Sequence, residues 1–174
     1  MIHAPEEVAD FAQIAGALTI NIGTLSAPWV DSMMRAAVAA NGAGVSWVLD
    51  PVAHFATPYR AKVALDLLAL KPAIVRGNAA EIIALAGGAG SGKGGSDIMP
   101  KVTALGCSLT ALVGAYAAVA PSLEATIAAF LHFAEAGERA ASKAEGPGSF
   151  SVAFLDALHT LQPGDLDEAR VTWR

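Results

Sequence analysis

Two periodicities alternate along the first half of the chain. Residues 17–22, 45–49 and 73–75 are short, mainly apolar runs, the pattern of strands buried in a sheet covered on both faces. Between the first two, Val30, Met33, Met34, Ala37 and Val38 recur at the spacing of one helix face. Ser26 stands ahead of them as an N-cap with Pro28 just inside, and Asn41-Gly42 is the expected stop. Thr57-Pro58 opens a further helix with Val63, Leu67 and Leu70 inward. An earlier helix is expected over 5–15, with Pro5, Glu6 and Glu7 in its first turn and Gly16 ending it. The third strand runs at once into RGNAAE, residues 76–81, and a helix reaching Ala86. The connections are long enough only for parallel crossovers. The expected fold class is therefore α/β, a parallel sheet flanked by helices in three layers. Beyond a glycine-rich connection at 87–98, three helices are expected near 107–119, 123–136 and 150–160. In the middle one Leu123, Ile127, Phe130, Leu131 and Ala134 share a face. There is no internal repeat and no dividing linker, so residues 1–174 read as one domain.

Composition narrows the class of function. Hydrophobic residues make up 54% and charged residues 16%, which excludes a disordered chain. The net charge is −5, and no stripe of Lys or Arg gives the footprint of a nucleic-acid binder. Cys107 is the sole cysteine, so no internal disulfide can form and a reducing cytoplasm is the default compartment. The N-terminal MIHAPEEVADF is acidic, unlike a signal peptide. Residues 102–123 carry no charge and approach the length of a membrane span. Alanine and glycine dominate them, and Thr103, Ser108, Pro121 and Ser122 interrupt them, so a buried core helix is the expectation.

Ligands of open parallel sheets bind outside the carboxyl ends of the strands. Each strand here ends on polar residues: Asn21 and Thr24, then Asp50, then Arg76 and Asn78. Asn21 alone reads as a turn residue. Asp50 and Arg76 together point to a ligand, because buried charges need a partner. In RGNAAE an arginine precedes a helix N-terminus and Glu81 lies one turn inside. The fork and the amides suit phosphate, and the carboxylate suits magnesium, directly or through water. The plainer alternative is an Arg76–Glu81 ion pair with Asn78 capping the helix. A second anion site is expected at 103–107, where a turn of small residues enters an apolar helix. There Cys107 would gain thiolate character, unless it is an inert core thiol. Gly90–Gly95 fits GxGxxG, and residues 87–93 imitate a phosphate-binding P-loop. The first follows a helix where a strand is required, and the second has Gly94 in place of the hydroxyl that meets magnesium. His3, His54, His132 and His159 lack metal-ligand spacing.

Five segments carry a family resemblance: ALTINIGTLS (17–26), LDPVAHFATPYR (49–60), IVRGNAAEI (74–82), KVTALGCSLTALVGA (101–115) and GPGSF (146–150). They resemble the hydroxyethylthiazole kinase family. The resemblance implies a ribokinase-like fold, here with an incomplete sheet. It implies ATP-dependent phosphorylation of the hydroxyl of 4-methyl-5-(2-hydroxyethyl)thiazole in thiamine biosynthesis and salvage, with magnesium as cofactor. A homotrimer with active sites between subunits is implied as well. By the same resemblance Arg76 and Asn78 bind ATP, and Asp50 and Glu81 hold the metal. Met1 and Ala104 contact the thiazole. Cys107 stands where most of the superfamily has a catalytic aspartate, and the amides of Leu105 and Gly106 form the anion hole.

The chain also departs from the family pattern. The HxITN-type segment is absent from its start, and a block with a Thr-Gly turn is absent between Ile98 and Met99. GTGC or GAGC becomes Ala104-Leu105-Gly106-Cys107, and the glycine after DPV becomes Ala53. A non-catalytic remnant that binds phosphate or nucleotide is the alternative reading.

Overall fold

A computed structural model describes residues 2–87, 98, 101–102 and 104–166. Met1, Thr103 and nearly all of the glycine-rich connection, including both glycine motifs except Gly87, lie outside the described residues.

The three apolar runs form β1 (Leu18–Asn21), β2 (Trp47–Asp50) and β3 (Ile74–Val75). They pair in parallel in the order β1-β2-β3. Side chains alternate across the sheet. Trp47 and Leu49 join one apolar cluster with Ile20, Met33, Val63 and Leu67. Val48 joins the other, with Leu109, Val113, Phe133, Phe150 and Phe154. All four residues of β2 are buried, so this strand is the floor of both cores.

Helices fill the two outer layers. On the first face lie α2 (Ala27–Ala43) and α3 (Pro58–Ala69). Their starts follow local chemistry: Ser26 Oγ accepts from the Trp29 N–H, Thr57 Oγ1 accepts from the Arg60 N–H, and a proline stands in each first turn. The end of α2 differs from expectation. It runs past Asn41-Gly42 to Gly44, which takes the left-handed φ of 71°. Asn41 is committed elsewhere, accepting from Trp47 Nε1 and donating to the Leu70 carbonyl. A short α1 (Val8–Ile14) covers Ala36 of α2.

The second face is built by α5 (Leu105–Ala117), α6 (Ser122–Ala141) and α7 (Pro147–Thr160). Here α5 approaches β1 closely enough that a Cβ on Gly114 would lie 2.4 Å from Thr19 Cγ2. The apolar face expected on α6 is not the buried one. Ala125, Ala129, Phe133, Ala136 and Ala140 face the core, while Leu123 and Phe130 are 58% and 45% exposed. Small residues win the inner position because they allow close helix approach. The core gains bulk from Phe154 instead, which meets Phe133 edge-on and stacks on Phe150. Between the two halves α4 (Ala79–Leu85) follows β3 directly. Among the described residues no helix is long and apolar enough to cross a membrane.

Candidate active site

Strand register sets the site. Asn21 pairs with Asp50 across β1 and β2, and the Arg76 N–H bonds to the Leu49 carbonyl just past β3. The three residues thus form a row at the carboxyl rim. Strict alternation then turns all three toward α5, because Ile20, Leu49 and Val75 before them point the other way.

Helix α5 answers that row with Thr110, Cys107 and Gly106. Asp50 Oδ2 accepts from Thr110 Oγ1 at 2.7 Å, from Asn21 Nδ2 at 2.8 Å and from Arg76 Nη1 at 3.4 Å. Asp50 is fully buried, and among the described residues its Oδ1 has no partner, as is true of Arg76 Nε. Burial pushes the Asp50 carboxyl above its ordinary value. The Thr110 hydrogen bond and the Arg76 charge pull it back, the Glu81 charge raises it further, and Asn21 lowers it slightly. The balance is upward, so the buried charge is incompletely compensated.

The guanidinium of Arg76 lies against the first turn of α5. A Cβ at Gly106 would come within 3.1 Å of Arg76 Nη1, so the glycine makes room for the arginine. Among the described residues no side chain caps α5, and Ala104 ahead of it takes the left-handed φ of 68°. The first-turn amides of Leu105 and Gly106 therefore remain at a helix end that favours negative charge. Cys107 is exposed beside them, and its sulfur accepts from Asn21 Nδ2 at 3.2 Å.

Glu81 serves two elements. Its Oε2 accepts from the Asn78 N–H at 2.8 Å, and Asn78 Oδ1 accepts from the Glu81 N–H at 2.9 Å, which closes a capping box on α4. Its Oε1 accepts from the N–H of Ala53, in the turn after β2, at 3.0 Å. Both oxygens meet N–H donors, a requirement that a glutamine could satisfy only once. The Arg76–Glu81 ion pair considered from the sequence is replaced by Arg76–Asp50, whereas Asn78 caps as expected. Arg60 completes the frame. It donates to the carbonyls of Ile22, Val52 and Gly23, tying together the turns that follow β1 and β2.

Among the described residues no three His, Cys, Asp or Glu side chains converge as a metal cluster. Asp50 and Glu81 offer hard oxygen donors, with an uncommitted lone pair on Asp50 Oδ1. These are the donor types that a magnesium ion takes beside phosphate and water. A separate cavity of about 540 Å³ lies between α5, α6 and the chain after α7, lined by Tyr116, Ile127, Leu131, His132 and Leu166. It is mainly apolar, and both nitrogens of His132 are engaged, by Tyr116 Oη and the Leu158 carbonyl. The charged chemistry is at the rim.

Of the residues singled out in the sequence, Asp50, Arg76 and Gly106 come together directly. Cys107 joins them through Asn21, and Glu81 and Asn78 flank them through the Ala53 turn. Ala104 sits at the start of α5. Thr110 and Arg60 do not stand out in the sequence, and Asn21, one of the polar strand ends, reads by itself as a turn residue. A signal for Thr110 exists: it is a polar residue one turn beyond Gly106 in a helix that carries no charged residue.

Fold and rim together define a ribokinase-like α/β protein. The chain resembles the solved structure of a hydroxyethylthiazole kinase protein from Pyrococcus horikoshii OT3, with a TM-score of 0.88 at 33% identity, covering 95% of this chain and 79% of that one. The profile of the hydroxyethylthiazole kinase family matches residues 1–95 and 89–164. A Rhizobium etli protein named hydroxyethylthiazole kinase is 50% identical over 220 aligned positions, 99% of this chain and 85% of the relative. One of the same name from Roseobacter denitrificans is 47% identical over 211 positions, 95% and 82% of the two chains. The chain belongs to the hydroxyethylthiazole kinase family. Both alignments are longer than its 174 residues, so the relatives carry residues with no counterpart here. The two matched stretches meet at 89–95, a few residues before the junction expected at Ile98.

Proposed function

We propose that this protein transfers the terminal phosphoryl group of ATP to the hydroxyl of 4-methyl-5-(2-hydroxyethyl)thiazole, yielding ADP and the thiazole phosphate. Membership of the kinase family supports the reaction class. The observation that carries the site assignment is the row Asn21–Asp50–Arg76 facing the start of α5.

Phosphoryl transfer asks a protein mainly for positioning and charge neutralisation. The acceptor hydroxyl gives up its proton to solvent and its oxygen bonds to the terminal phosphorus, as the bond to the ADP oxygen breaks. The amides of Leu105 and Gly106 face the charge on the transferring group, as an anion hole does. Arg76 reaches the ATP phosphates from beside Gly106, with Asn78 close to the same phosphates. Cys107 stands beside the acceptor hydroxyl, and Ala104 and Met1 contact the thiazole. Asp50 and Glu81 would hold magnesium, which supplies neutralisation of the nucleotide phosphates. The raised carboxyl of Asp50 agrees with a site that a cation would relieve.

We propose a homotrimer as well. Large apolar side chains left at the surface, among them Phe11, Ile14, Val38 and Phe130, are material for an interface.

The direct test supplies the thiazole alcohol, ATP and magnesium, and follows ADP and the phosphate ester together. Stoichiometric formation of both is expected. ATP binding seen by calorimetry with no ester formed would overturn the reading in favour of a non-catalytic nucleotide-binding remnant.

A further inference from the structure

We infer that Asn21 is a positioning residue for the reaction, holding the Cys107 sulfur and the Asp50 carboxylate in a fixed relation through one side-chain amide. The inference rests on the reading that Cys107 stands beside the acceptor hydroxyl.

The orientation of that amide is fixed from its far end. Asn21 Oδ1 accepts from the Gly23 N–H at 2.8 Å, and only the oxygen can face an N–H. The opposite flip would set the NH2 group against that N–H and the carbonyl against the Asp50 carboxylate. The peptide that supplies the N–H is itself anchored, because Arg60 grips the carbonyls of Ile22 and Gly23, both at 2.8 Å. The two hydrogens of Asn21 Nδ2 are then committed, one to Asp50 Oδ2 at 2.8 Å and one to Cys107 Sγ at 3.2 Å. A sulfur that accepts from Asn21 must direct its own proton elsewhere, toward the open side of the rim. Arg60, Gly23 and Asn21 thus form a rigid bracket that sets where the one thiol of the chain points.

A purely structural role makes a different prediction. Asn21 with Gly23 is an Asx-turn, and aspartate makes that turn as well as asparagine. Asn21→Asp keeps the acceptor for Gly23 and loses both donors. Asn21→Ala loses all three bonds without adding charge.

The experiment measures kcat and KM for the thiazole alcohol in both variants, together with the rate at which iodoacetamide alkylates the sole cysteine at neutral pH. Asn21→Ala should lower kcat about tenfold while KM changes less than about twofold. It should slow alkylation roughly three- to tenfold, since the sulfur loses the contact that fixes where it points. Asn21→Asp should go further in both readouts despite its intact turn. If the aspartate variant does not fold, the alanine variant decides. Wild-type kcat and alkylation in either variant would overturn the inference, as would faster alkylation, the sign of a loosened rim. Should the unaltered chain form no thiazole phosphate, the functional reading fails on its own. The alkylation arm still tests Asn21, with slower labelling in support and unchanged labelling against.

Discussion

Three donors converge on one oxygen of Asp50, and among the described residues none reaches the other. A group whose folded pKa is raised binds its proton more tightly in the folded than in the unfolded chain. Its contribution to stability is full below the unfolded value, near 3.8, and is lost as pH rises through the folded one. Asp50→Asn removes that loss. The stability of the variant relative to wild type should therefore improve as pH rises above the ordinary carboxyl value of 3.8 and through the raised folded one, read from urea unfolding at each pH. Parallel curves would show that the carboxyl is not raised. Phosphoryl transfer should fall in the same variant, since an amide is a poor magnesium ligand. At this scale the sequence showed the charged pair, because a strand ending in Asp50 and another running into Arg76 are local facts. It did not show the Thr110 contact, which spans 60 residues, or that Asn21 faces inward. That depends on register, and register is fixed only when the strands pair.

Helix starts were the most legible elements. Ser26, Thr57 and Asn78 each accept from a backbone N–H three residues on, a bond encoded within four residues of sequence. The buried face of α6 was not legible. Hydrophobic periodicity ranks Leu and Phe above Ala, yet close helix packing reversed the ranking. The start of α5 shows a further local cost. Ala104 and Ala53 stand where the family pattern has glycine, and both have positive φ, at 68° and 47°. A left-handed alanine costs about 1–2 kcal/mol, partly offset by the greater freedom of glycine in the unfolded chain. Ala104→Gly should raise stability by up to about 1 kcal/mol, seen as a higher urea midpoint at unchanged slope. An equal or lower midpoint would mean that the turn is not strained.

Over the whole molecule, the alternation of strands and helices was enough to give the three layers and the parallel sheet. Self-association was not readable, because surface apolar residues are common in monomers too. The proposed trimer predicts sedimentation at three times the chain mass at micromolar concentration. A monomer at all concentrations would remove it. The row Asn21–Asp50–Arg76 has a final consequence for how the chain folds. A slip of β2 by one residue against its neighbours would exchange its two faces. Asp50 would then enter the cluster of Ile20, Met33 and Leu67, far from Thr110 and Arg76, at a cost of several kcal/mol for an unpaired buried charge. The residues that make the rim chemically useful thus also reject misaligned sheets, so a chain that folds at all arrives with its site in register.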